Sequence, residues 1–192
     1  MRPMFSQIRT LFIALFLSFA VTGLATAQDT VSDRYTANEL VQAGGQFFGK
    51  VSQGLASVVE RAISNYGLPN GYILGQEGSG AFFGGVRYGD GELYTKNAGN
   101  HILYWQGPTL GFDIGADGSQ VMMLVYNLPS TDSIYGRYPG VDGSAYVVGG
   151  VGMTVMKYKD IYIVPIRSGV GARLGINVGY LKFTQNPTWN PF

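Results

Sequence analysis

The feature that most restricts how this chain can fold is its glycine: 29 residues in 192, set among 13 tyrosines and 11 phenylalanines. Only Gly23 falls within the first 27 residues, so 28 glycines belong to the remaining 165. A glycine inside a helix costs up to about 1 kcal/mol relative to alanine. Tightly curved antiparallel sheet suits it better, because strands can bend and approach closely while aromatic side chains fill the space left open. Beyond the first few residues after position 27, no tract is low enough in complexity to predict disorder.

The first 27 residues have a different logic. Arg2 and Arg9 make a basic start, residues 11–21 form an apolar run of 11, and Ala25-Thr26-Ala27 supplies the small-x-small pattern of a cleavage site. Cleavage is expected between Ala27 and Gln28, since the apolar core is much shorter than the roughly 20 residues a membrane span requires. With no cysteine in the chain, lipidation at that site, a disulfide framework and a thiolate metal site are all excluded. Residues 28–192 are long enough for one domain with its own hydrophobic core. Removing Arg2 and Arg9 leaves 11 basic against 12 acidic residues, a net charge of −1. That balance argues against nucleic acid and against strong attraction to anionic lipid.

Residues 28–35 read as a polar lead-in. Thr36 and Glu39 have capping-box spacing, and apolar residues then recur in steps of three and four from Leu40 to Ile63. Gly67 and Pro69 stop the pattern, which predicts one long N-terminal helix. Gly44, Gly45, Gly49 and Gly54 within it imply a neighbour packed close against that face. From Gly71 the period becomes two, and strands are predicted at 72–76, 79–88, 92–97, 101–105, 110–116, 120–127, 145–157, 161–166 and 170–182. Asp90-Gly91 and Asp117-Gly118 read as hairpin turns, 130–143 as one long loop, and 184–192, with two prolines, as an irregular tail. The fold class is α+β: a long helix with a curled antiparallel sheet or small closed β-barrel, in which the alternating glycines at 149–152 serve curvature.

Candidate chemistry is sparse. His101 is the only histidine and lacks the partners of a triad or a metal site at recognisable spacing. Asp113 and Asp117 share a strand face, yet Asp117 is accounted for by its turn, as are Asp90 and Glu92 by theirs. The glycine clusters lack the context of a phosphate loop. No catalytic residue, metal site or cofactor is expected. Phe82, Phe83, Tyr88, Tyr104, Trp105 and Phe112 form an aromatic set that either fills the core or lines a ligand cavity.

From Gly71 to Asn127 the run GYILGQEGSGAFFGGVRYGDGELY followed by WQGPTLGFDIGADGSQVMMLVYN resembles the SYLF (Ysc84-like) lipid-binding domain, with Trp105, Pro108, Gly111, Gly115 and Asn127 at matching positions. Over the whole of residues 28–192 the chain is more similar to the alphaproteobacterial envelope integrity protein A family, including the closing block IRSGVGARLGINVGYLKF at 166–183. The closer resemblance implies a periplasmic, non-enzymatic protein with a compact barrel that supports the cell envelope. The more distant one implies contact with phospholipid. The expected partners are a lipid or a cell-wall component, with peripheral membrane contact left open and no nucleic acid.

Two other classes compete. An integral outer-membrane barrel fits the terminal Phe192, but Thr184, Asn186, Thr188 and Asn190 do not alternate as a lipid-facing strand, and Pro187 and Pro191 break the ladder. A wall hydrolase acting through Asp113 and Asp117 would require those carboxylates to face a cleft rather than cap a turn.

Overall fold

The structure, a computed structural model, describes residues 32–50, 52–80, 85–108, 119–168 and 179–192. The leader 1–27 and the strand expected at 110–116 lie outside the described residues.

Among the described residues, helical order starts at the predicted box. Thr36 Oγ1 accepts from Glu39 N–H at 3.3 Å, and Glu39 Oε2 accepts from Thr36 N–H at 2.7 Å, opening α1 (Ala37–Phe47). The backbone donor of Thr36 and the ion pair to Lys96 at 2.9 Å hold the Glu39 carboxyl down to about 2. The single long helix is, however, two. Gly49 turns the chain at φ +74°, and α2 (Gln53–Tyr66) restarts behind Ser52, whose Oγ accepts from Leu55 N–H at 3.1 Å. A left-handed residue interrupts an α-helix, and glycine adopts that conformation without steric cost. The apolar spacing runs on through the break because Leu40 of α1 and Leu55, Val58 and Val59 of α2 join one core cluster.

Two of the helical glycines do mark close packing. A Cβ on Gly44 would lie 2.8 Å from Met122 Sδ, and one on Gly54 would lie 2.7 Å from the Val148 carbonyl oxygen and 2.9 Å from that of Gly149. Gly54→Ala gains about 1 kcal/mol of helix propensity. The overlap with fixed backbone costs about 1–3 kcal/mol. A net loss of stability is expected in urea unfolding, and a stabilised variant would show that α2 does not sit this tightly on the sheet.

The sheet has ten described strands, β1 (Gly71–Gly80), β2 (Val86–Thr95), β3 (Gly99–Pro108), β4 (Ser119–Tyr126), β5 (Gly136–Pro139), β6 (Tyr146–Val148), β7 (Val151–Met153), β8 (Met156–Tyr158), β9 (Ile161–Ser168) and β10 (Tyr180–Thr184). Every pairing is antiparallel, in the order β5-β10-β3-β2-β1-β4-β9-β7-β6, with β8 also on β9. The sheet curls until β5 and β8 touch, through a bridge between Gly140 and Met156 and a 2.8 Å bond from Val141 N–H to Val155 O. The result is β-barrel-like.

Strand β4 shows how the layers divide. Val121, Met123 and Val125 enter the core inside the curl, while Met122, Leu124 and Tyr126 enter the core under the helices. Burial on both faces makes 121–126 a continuous apolar run rather than an alternating one. The inner core is filled by bulky side chains, among them Trp105, Tyr138, Phe183 and Leu103, each at most 1% exposed. The Tyr138 hydroxyl is buried without a hydrogen-bond partner among the described residues.

Three sequence expectations are corrected. Asp90-Gly91 is no turn but the middle of β2, where Gly91 stands opposite Gly75. A Cβ on Gly91 would come within 2.6 Å of Leu74 O, so that glycine serves strand approach; the turn lies at 96–98, closing on Gly99 at φ +74°. The strand expected at 145–157 is cut into β6, β7 and β8, since Gly149 and Gly150, at φ +56° and +76°, make a hairpin turn instead of barrel curvature. Within the expected loop 130–143 lies β5, which pairs with β10 and places Tyr138 in the core. The tail 185–192 is irregular, as its prolines predict.

Candidate functional site

Period two sets which residues enter the curl. On β1 these are Ile73, Gly75 and Glu77; on β2, Leu93, Gly91, Gly89 and Arg87; on β9, Ile161, Ile163, Pro165 and Arg167. One end of the interior is thus apolar, and the other carries a buried charge cluster. Arg167 grips Glu77 through both Nε and Nη2, the latter at 3.1 Å to Oε2, and Arg87 Nη1 stands 3.9 Å from the same oxygen. Trp105 Nε1–H points to Glu77 Oε2 at 3.4 Å. Burial pushes the Glu77 carboxyl up, but the charge and hydrogen bonds of Arg167, then Arg87 and Trp105, outweigh it and bring it below the usual carboxylate range. Glu77 is therefore held ionised.

Trp105 lies across the floor. It stands opposite Gly89 in the β2–β3 ladder, and its ring occupies the space that a Cβ on Gly89 or Gly75 would take, at 2.3 Å and 2.6 Å. Only glycine at both positions lets the indole lie flat against the strands.

On the outer side of the same strands is an open groove of about 560 Å³. Asp90 stands opposite Gln76 on one side and Tyr104 on the other, and Tyr88 stands opposite Gln106, so these side chains share the outer face. The far wall is the tail, at Pro187, Thr188 and Trp189. Its path is set by side chains that donate to its carbonyls: Tyr88 Oη to Trp189 O at 2.8 Å, Tyr180 Oη to Pro191 O at 3.0 Å, and Lys182 Nζ to Phe192 O at 2.7 Å. The Trp189 ring meets Tyr88 edge to face at 5.4 Å, yet the residue is 86% exposed.

Of the aromatic set singled out from the sequence, Tyr88 and Tyr104 line this groove and Trp105 lies under it with no exposed surface. Phe82, Phe83 and Phe112 lie outside the described residues, as do Asp113 and Asp117. Gln76, Asp90, Gln106 and Trp189 escaped the sequence reading. Their signal was parity: Asp90 shares a face with Tyr88 once 86–95 is seen as one strand. His101 sits near the β2–β3 connection with Nε2 2.9 Å from Ala98 O, which suits a structural histidine. Among the described residues no group of three or more His, Asp or Glu is placed to hold a metal, and no helix is long and apolar enough to cross a membrane.

Among the described residues, two helices back a filled sheet whose outer face carries this open groove, which defines a β-barrel-like class of fold. The chain belongs to the envelope integrity protein A family, whose model matches residues 33–192. It is also similar to a crystal structure of a beta-barrel-like, uncharacterized protein from Brucella abortus, at 62% identity and a TM-score of 0.80, covering 84% of this chain and 100% of that one. No curated protein matches it.

Proposed function

We propose that this protein is exported to the periplasm and supports the cell envelope without catalysis, by holding a cell-wall component in the groove of the outer face. The observation that carries this is the groove itself, where aromatic faces and polar side chains are presented together beside an exposed, anchored tryptophan. Family membership supplies the envelope setting, and the basic, apolar, small-residue leader supplies the export route. A non-enzymatic role is supported by Glu77. It is the carboxylate buried beneath the groove, and the grip of Arg167 keeps it from carrying a proton as a general acid must. An acyl chain inside the barrel would have to displace Trp105, Tyr138 and Phe183, so the geometry favours a wall component over a lipid.

The test is co-sedimentation of residues 28–192 with isolated sacculi. Wild type is expected in the pellet, and Tyr104→Ala is expected to bind about tenfold more weakly, the scale of one lost stacking contact. Equal pelleting of both, or of neither, would defeat the proposal.

A further inference from the structure

The chemistry of the groove narrows its ligand to a class. We infer that it takes a neutral pyranose oligosaccharide, with sugar rings stacked on Tyr104 and Trp189 and hydroxyls bound by Asp90, Gln76 and Gln106; this rests on the binding role proposed above.

Charge points away from phosphate. No Lys or Arg is among the described residues lining the groove: Arg87 and Arg167 are buried on the inner face and directed to Glu77, while Asp90 places an exposed negative charge on the outer face. A phosphate or other anionic headgroup would meet like charge with no partner. Nor is the lining that of an acyl site, because Gln76, Asp90 and Gln106 interrupt the aromatic faces and would be stripped of water by a hydrocarbon. A sugar ring matches both features, with apolar C–H faces for aromatic planes and a rim of hydroxyls that donate and accept.

Gln106 supplies a specific sign of spare capacity. It is 1% exposed, and its contacts with Thr184 Oγ1, at 3.4 Å and 3.5 Å, are at the outer limit of hydrogen bonding. An amide offers two donors and an acceptor, so this buried group gains most from a hydroxyl brought into the groove. Trp189 supplies the second sign. An 86% exposed indole would ordinarily be mobile, but its carbonyl is tied to Tyr88 Oη and its ring rests on the Tyr88 ring. A platform already held in place binds at lower entropic cost.

The experiment follows tryptophan emission of residues 28–192 during titration with the tetramer of N-acetylglucosamine, with a free wall stem peptide and phosphatidylglycerol vesicles as the other probes. Trp105 is buried in the core, so a saturable change should come from Trp189, and it should be absent in Trp189→Ala. Asp90→Ala is expected to weaken tetramer binding at least tenfold, while Val147→Ala, on the distant β6 strand, leaves it unchanged. Near-ultraviolet circular dichroism verifies that each variant is folded. Silence toward the tetramer up to about 10 mM, with sacculi still bound through Tyr104, would overturn the saccharide assignment and leave the binding role standing. Saturable binding of the stem peptide or the vesicles in its place would overturn it as well. Loss of sacculus binding together with tetramer silence would remove both.

Discussion

Glu77→Ala is expected to lower folding stability at pH 7 by about 3–5 kcal/mol, the scale seen when one partner of a buried ion pair is removed. That is a large share of the roughly 5–15 kcal/mol that holds a domain of this size together. The carboxylate is shared by Arg167 through two bonds, by Arg87 at 3.9 Å and by the Trp105 indole, and all four residues are buried. Two guanidinium groups would lose it at once. Glu77→Gln retains the shape and one acceptor, so it should lose less. The same group sets an acid limit. Its folded pKa lies below that of the unfolded chain, about 4.3, so its contribution is complete above that value and declines as the pH falls toward the folded one. Urea melts from pH 7 down to 3 should therefore show a falling stability in wild type that is flatter in Glu77→Gln. Equal slopes, or a cost for Glu77→Ala under 1 kcal/mol, would mean that the cluster is not what the distances describe.

Trp105→Ala should cost about 3–5 kcal/mol, the range for removing a large aromatic side chain from a packed interior. Its more telling property is coupling to Gly89. Gly89→Ala alone drives a methyl to 2.3 Å from the indole, an overlap costing about 1–3 kcal/mol. In the double variant that methyl enters the space the indole has left. The combined loss should fall short of the sum by at least about 1 kcal/mol, as contacting pairs do. Additivity to within about 0.5 kcal/mol would show that the indole does not lie on this strand.

Much of this could be read from the chain, and the failures have physical causes. The Thr36–Glu39 box was legible because capping is local chemistry, decided within four residues. The break at Gly49 was not, because two helices lying on one sheet keep a common apolar stripe and only the left-handed φ distinguishes them. Asp90-Gly91 misled for a different reason. The dipeptide is equally at home in a tight turn and beside a facing glycine, and the facing residue, Gly75, is 16 positions away in the chain. Parity was the harder loss. Tyr104 and Trp105 are neighbours of similar character, but one opens to the groove and the other closes the core. Without knowing which side of β3 faces inward, no local pattern separates them. The charge cluster was hidden likewise, since Glu77, Arg87 and Arg167 meet only when three strands curl together.

The tail is fastened to the sheet through the carbonyl oxygens of Trp189, Pro191 and Phe192. Every amino acid carries that group, so these three anchors do not depend on the side chains the tail displays. Among the described residues, the tail's own side chains add only short-range bonds from Thr188 and Asn190 and the contact of Trp189 with Tyr88. Anchorage by the sheet and display by the tail are thereby largely separate, with Tyr88 alone among the three anchors also lining the groove. Under the proposed binding role, the side chain at 189 can be exchanged, and with it the surface offered to a ligand, while Tyr88, Tyr180 and Lys182 go on holding the carbonyls of the tail. In such a design the framework is kept and the display is free to vary.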